Sequence, residues 1–83
     1  MNYEVVHVSR GDIRVKSDEK QVRVLGEALL ALAPIELSYI IYLNSLNNWE
    51  VPAGVALTET EKQEVIQAIR NHFQEQGSVI EFE

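Results

Sequence analysis

The chain has 83 residues, of which 46% are hydrophobic, so residues 1–83 are expected to form a single domain with one core. It contains no cysteine, which excludes disulfides, thiolate metal sites and a cysteine nucleophile. The formal net charge of −6 disfavours binding to nucleic acid, because an acidic surface repels the phosphate backbone.

The first part of the chain predicts three strands joined by turns. Residues 3–8 are rich in β-branched side chains, and residues 12–16 and 20–25 alternate between apolar and polar ones. Residues 10–12 predict a turn around a glycine, and residues 17–19 predict a polar hairpin loop. The alternating strands should place one face in the core and their basic residues on the other.

The middle of the chain carries two further apolar segments. Residues 26–33 have helical propensity, but the segment is only about two turns long and Gly26 and Pro34 bracket it, so a strand is favoured over a helix. Residues 36–43 predict a strand that is apolar on both faces. Such a strand is either central in a sheet or faces a partner.

The clearest signal is a helix that begins after Thr58. This residue is a good N-cap, and Glu61 completes a capping box. An apolar stripe at helical spacing follows, Gly77 ends the helix, and residues 78–83 alternate as a last strand. We therefore predict an α+β fold. It consists of an antiparallel sheet of about five or six strands, one C-terminal helix packed on one face, and a final strand.

Trp49, the only tryptophan, has two interpretations. It can close one end of the core with its indole N–H bonded to a carbonyl, which is favoured because a small domain needs its largest side chain. It can instead anchor a partner, since tryptophan and tyrosine dominate interface hot spots. In the second case Trp49→Ala should weaken binding and leave the thermal melt almost unchanged.

The sequence contains no recognisable catalytic, cofactor or metal site. His7 and His72 lack the spacing of zinc ligands, and Glu59, Glu61 and Glu64 are explained by the start of a helix. No glycine-rich loop precedes a helix, so phosphate binding is unsupported. We therefore predict a protein that is not an enzyme and that needs no cofactor or metal.

The distribution of charge and hydrophobicity bears on partners and location. Residues 24–83 hold nine acidic residues against Lys62 and Arg70, an excess that would steer a basic partner to this part. The N-terminus lacks the layout of a signal peptide, and the longest apolar run, residues 29–35, is too short to cross a bilayer. We expect a cytoplasmic protein without membrane contact.

A family resemblance sharpens the functional prediction. Its centre is the set Ser45, Trp49 and Pro52, followed by the acidic helix start at residues 58–62. With the early turn glycine, Gly26-Glu27, the helical stripe and the terminal Ile80-Glu81-Phe82-Glu83, the chain resembles bacterial polymorphic-toxin immunity proteins, in particular the immunity protein seventy-four family.

The resemblance implies a non-enzymatic cytoplasmic protein that binds and neutralises a cognate toxin domain delivered by a neighbouring cell. Such toxins are often basic nucleases, which suits an acidic inhibitor. We expect the contact surface to include Tyr42, Trp49 and Glu50. The alternative function is structural: a homo-oligomer, such as a homodimer, that associates through residues 36–43.

Overall fold

The computed structural model describes residues 3–29 and 37–83. In these residues five strands form one sheet in the order β1-β2-β3-β4-β5, and an α-helix packs on one of its faces. This confirms the predicted α+β fold with a C-terminal helix and a final strand. The elements in chain order are β1 (Glu4–Val8), β2 (Asp12–Ser17), β3 (Lys20–Ala28), β4 (Leu37–Ile41), a 3-10 turn (Leu43–Ser45), α1 (Glu59–Glu75) and β5 (Val79–Phe82).

The strands β1, β2 and β3 form the antiparallel meander that the alternating pattern predicted. Ile13 lies opposite Val24 and Val15 lies opposite Val22, and all four side chains are fully buried against the helix side. Asp18 adopts a left-handed conformation (φ 52°) in the β2–β3 turn, which a short polar side chain tolerates. The opposite face carries the polar residues of the same strands, and none of the residues that the structure describes forms a helix on it; we call it the helix-free face.

The two apolar segments of the middle part extend and follow β3. Residues 26–28 are the end of β3, as the strand interpretation requires, while residues 30–33 lie outside the described residues. The predicted strand at 36–43 ends at Ile41 instead, because the chain turns into the 3-10 segment at Leu43. β4 lies between β3 and β5, which confirms the central-strand interpretation.

The last strand corrects the prediction of a purely antiparallel sheet. β5 runs parallel to β4, with Tyr39 opposite Ile80 and Ile41 opposite Phe82. The reason is the connection: α1 carries the chain back across one face, so the returning strand has the direction of β4. All other strand pairs are antiparallel.

The helix α1 begins and ends as predicted. The Thr58 hydroxyl accepts a hydrogen bond from the Glu61 N–H (3.1 Å), and the Glu61 carboxylate accepts one from the Thr58 N–H (2.9 Å). Gly77 follows with φ of +71°, a left-handed conformation that favours glycine. No helix in residues 3–29 and 37–83 is both long and apolar enough to span a membrane.

One hydrophobic core joins the sheet, α1 and the loop between them. Residues from all three parts are buried, and each fully buried valine, leucine or isoleucine stabilises the fold by about 1.5–3 kcal/mol. The contribution of the loop to the core is unusual, because the loop supplies the largest side chain of the protein, Trp49. The buried core residues are Ile13, Val15, Val22, Val24, Tyr39, Ile41, Leu46, Trp49, Leu57, Val65, Ile69 and Phe73.

Candidate partner-binding surface

The loop after β4 completes the hydrogen bonds of β3. β3 is nine residues long, but β4 pairs only with its last three, residues 26–28. The Ser45 hydroxyl accepts a hydrogen bond from the Leu25 N–H (2.9 Å) and donates one to the Tyr42 carbonyl (2.7 Å). Further along β3, the Gln21 N–H donates to the Val51 carbonyl (2.8 Å). Backbone groups that would otherwise lack partners are thereby satisfied.

Trp49 is a core residue. Its side chain is only 2% exposed, and the Lys20 ammonium lies 5.4 Å from the centroid of its ring. The core interpretation is therefore confirmed, although the expected hydrogen bond to a carbonyl is missing: Nε1 has no partner among the described residues. Direct contact between Trp49 and a partner stays a prediction, and burial leaves the ring almost no surface for it.

Trp49 and Leu57 hold the two ends of a hairpin-like loop. Asn48 and Ala56 form an antiparallel bridge, the Trp49 N–H donates to the Val55 carbonyl (2.8 Å), and the Leu57 N–H donates to the Asn47 carbonyl (3.0 Å). Between the two buried side chains, every residue from 50 to 56 is exposed. We call residues 51–56, Val-Pro-Ala-Gly-Val-Ala, the apolar loop.

Tyr42 and Glu50 lie on the helix-free face, along the same flank of β3. The Tyr42 hydroxyl donates to the Glu27 carboxylate (3.0 Å), and the Glu50 carboxylate accepts from the Gln21 amide (2.7 Å). Glu27 and Gln21 both alternate with the buried residues of β3, so they point away from the helix. Six residues of strand separate them, which corresponds to about 20 Å. The structure therefore places two of the three predicted contact residues on one face.

Charge is divided unevenly over the helix-free face. On β2 and β3 the two arginines are paired: Arg23 Nε lies 2.6 Å from Asp12 Oδ2, and Arg14 Nε lies 3.8 Å from Glu50 Oε1. The predicted basic residues do lie on this face, but this pairing offsets the charge of both arginines, and Lys16 is the one that stays exposed without an ion pair among the described residues.

The other half of the helix-free face is acidic. Glu27, Ile40 and Glu81 follow one another in register across β3, β4 and β5, so a half-buried isoleucine lies between two exposed carboxylates. Within the described part of the chain, neither Glu27 nor Glu81 forms an ion pair, and the same holds for Glu83. The hydrogen bond to Glu27, with burial and the negative charge of Glu27 and Glu83, raises the pKa of Tyr42 above its ordinary value.

The comparison with protein families adds the decisive observation. A family model described as Immunity protein 74 matches residues 5–83. The chain belongs to this immunity protein family. The comparisons with curated proteins and with solved structures found no match. The match includes all of the sheet except the first residue of β1, together with α1 and the apolar loop, so the surface described above lies within the family's region.

This immunity protein also has a buried carboxylate that the sequence did not single out. Asp12, read from the sequence as a turn residue, is only 7% exposed and accepts hydrogen bonds from the Ser9 hydroxyl and from Arg23 (2.6 Å). These two hydrogen bonds, aided by the charges of Arg23 and Arg14, lower its pKa below the ordinary value. The sequence offers only one hint of this arrangement: Asp12 is an acidic residue next to a turn, and the strands around it carry basic residues.

We expect Asp12→Asn to destabilise the immunity protein near pH 7 and to weaken its loss of stability in acid. Because the folded-state pKa lies below the ordinary value of about 3.9, the ionised Asp12 stabilises the fold above about pH 4, and this is lost as pH falls through the folded-state pKa. Urea unfolding midpoints at several pH values between 7 and 2 measure this. Asp18→Asn, at an exposed turn residue, is the control. Parallel pH profiles for Asp12→Asn and the parent chain would contradict it.

The immunity protein shows no metal-binding geometry in residues 3–29 and 37–83: no three His, Asp or Glu side chains converge there. His7 lies on β1, half-exposed and 4.0 Å from Asp12 Oδ1. His72 lies on α1 with its ring perpendicular to that of Phe73, and the two ring centroids are 5.3 Å apart. Glu59 and Glu61 act at the helix start, where each carboxylate is paired with a lysine, Lys62 and Lys20 respectively.

Proposed function

We propose that this chain is a non-enzymatic inhibitor that binds and neutralises one cognate bacterial toxin domain. The observation that carries the proposal is the family match over residues 5–83. Membership of an immunity protein family supports toxin neutralisation in general. The proposal extends it to a polymorphic toxin system with contact-dependent inhibition, in which the chain acts in the cytoplasm of the protected cell.

We further propose that the toxin domain is basic and is a nuclease. The acidic half of the helix-free face supports this, because Glu27, Glu81 and Glu83 are free of ion pairs within the described residues. A surface of this sign accelerates association with a positively charged groove and is repelled by nucleic acid itself. The inhibitor would then occupy the groove in place of the substrate.

The proposed contact surface is the helix-free face together with the loop that follows β4. Tyr42 and Glu50 supply exposed or half-exposed polar groups there, hydrogen-bonded to Glu27 and Gln21, two residues of β3 that lie about 20 Å apart along the strand. Trp49 is the neighbour of Glu50 in the chain, and its buried side chain belongs to the core cluster. Its proposed role is therefore to position the contact residues.

The test uses the toxin domain encoded immediately upstream of this chain. Mixed at micromolar concentration, the two proteins should co-elute as one complex, and the inhibitor should suppress cleavage of DNA or RNA at an equimolar ratio. The control adds the chain to the nucleic acid alone, which should produce no shift. Separate elution of the two proteins at these concentrations would contradict the proposed function.

Self-association remains a prediction with its own measurement. Sedimentation of the chain alone at high concentration should give a monomer if its surface serves a toxin partner. A stable dimer would favour the structural alternative based on residues 36–43.

A further inference from the structure

We propose that the apolar loop, residues 51–56, is the anchor of the complex and inserts into an apolar cleft of the toxin domain. This inference rests on the proposed function and adds the part of the surface that carries the affinity. Its basis is a run of six consecutive apolar residues that are all exposed. Val51 and Val55 are the most conspicuous, with 50% and 44% of their surface exposed.

Such a run is unusual on a free surface. Single exposed apolar residues are ordinary, but three or four in succession disfavour solubility unless they have a function. The chain elsewhere separates its exposed valines: Val6 and Val79 each lie in an edge strand between polar or half-buried neighbours. The apolar loop therefore differs from the rest of the described surface in kind.

The apolar loop is also held in one shape. Trp49 and Leu57 fix its two ends in the core, and the backbone bonds Trp49 N–H to Val55 and Gln21 N–H to Val51 fix its two sides. Gly54 allows the turn at its tip, with φ of +81°. A segment that is already ordered loses little conformational entropy when a partner binds it. This is the property expected of an anchor.

Charge decides between the possible occupants. Residues 50–59 contain two glutamates and no basic residue, and the basic side chains that contact these glutamates, Arg14 and Lys62, are paired with them. An anionic lipid surface would therefore find no basic residue on the loop to attract it. A second copy, with a net charge of −6, would be repelled. A cleft in a basic protein domain meets neither obstacle, because it attracts a chain whose net charge is −6 and whose carboxylates Glu27, Glu81 and Glu83 form no ion pair within the described residues.

The experiment compares a double variant, Val51→Ser with Val55→Ser, with the control Val79→Ser. Val79 is equally exposed at 47%, but it pairs with Leu37 at the far end of β4 from the loop. All chains should have the parent's melting curve, because the changed side chains are exposed. The double variant should raise the Kd for the toxin domain about 30-fold, mainly by faster dissociation, whereas the control should bind as the parent does.

The outcomes separate this inference from the proposed function. If the parent chain fails to bind the toxin domain, the proposed function is wrong. If the parent binds and the double variant binds equally well, the anchor is wrong and the proposed function stands. Two further measurements test the other occupants: sedimentation of the parent chain alone detects a dimer, and co-flotation with phosphatidylserine vesicles detects lipid binding. A parent dimer or vesicle complex that the double variant abolishes would assign the loop to that occupant and overturn the inference.

Discussion

Trp49→Ala will lower the free energy of unfolding by about 3–5 kcal/mol. The ring is 2% exposed and belongs to the same core cluster as Leu46, Leu57 and Val65, so truncation removes a large apolar area and leaves a cavity. A domain of this size has a total stability of roughly 4–12 kcal/mol, so the variant loses a large share of it and should unfold at a clearly lower temperature and urea concentration than the parent. Thermal and urea unfolding followed by circular dichroism measure the loss.

Two companion variants make the result specific. Trp49→Phe should lose much less stability, because it keeps most of the apolar ring and Nε1 has no hydrogen-bond partner among the described residues. Val55→Ala, at an exposed position of the same loop, should melt like the parent. An unchanged melt for Trp49→Ala would contradict the buried position and would restore the interpretation of this residue as a surface anchor.

The elements that the sequence predicted well depend on neighbours in the chain. The capping box joins Thr58 and Glu61, three residues apart, and the β2–β3 hairpin depends on alternation within each strand and on one turn. Such signals are local, so a single sequence contains them in full. The parallel direction of β5 is different, because it depends on which strand the chain meets after α1.

The candidate surface was less predictable, because its contacts join residues that are far apart in the sequence. The Ser45 hydroxyl accepts a hydrogen bond from the N–H of Leu25, twenty residues away, and the sequence does not reveal that the loop after β4 is attached to β3 in this way. The sequence predicted a basic outer face on β2 and β3, but it did not reveal that Asp12 and Glu50 neutralise Arg23 and Arg14 there, through contacts that depend on strand register. Trp49 lies between polar residues and a proline, so burial could not be decided until the packing of the loop was known.

Gly26→Ala should destabilise the fold by about 1–3 kcal/mol, despite being the smallest possible change. A Cβ at this position would lie 2.5 Å from the Ile40 carbonyl oxygen and 2.5 Å from Cε1 of Tyr39. Neither atom moves freely: the carbonyl belongs to β4, and the Tyr39 hydroxyl donates to the Ser9 carbonyl (2.9 Å) and holds the ring. Alanine also reduces the conformational entropy of the unfolded chain, but this offsets the loss of stability by only about 0.4–1 kcal/mol.

Gly11→Ala is the matched control for this prediction. No atom lies within 4 Å of a Cβ built there, so that variant should be as stable as the parent chain or slightly more stable. Equal melting temperatures for the two alanine variants would contradict the close approach of β3 and β4 at Gly26.

Gly26→Ala should also affect toxin binding. Gly26 precedes Glu27, so a displaced β4 would separate Tyr42 from the Glu27 carboxylate and disturb the acidic half of the helix-free face. Gly26→Ala should therefore weaken toxin binding as well as the fold, whereas Gly11→Ala should affect neither.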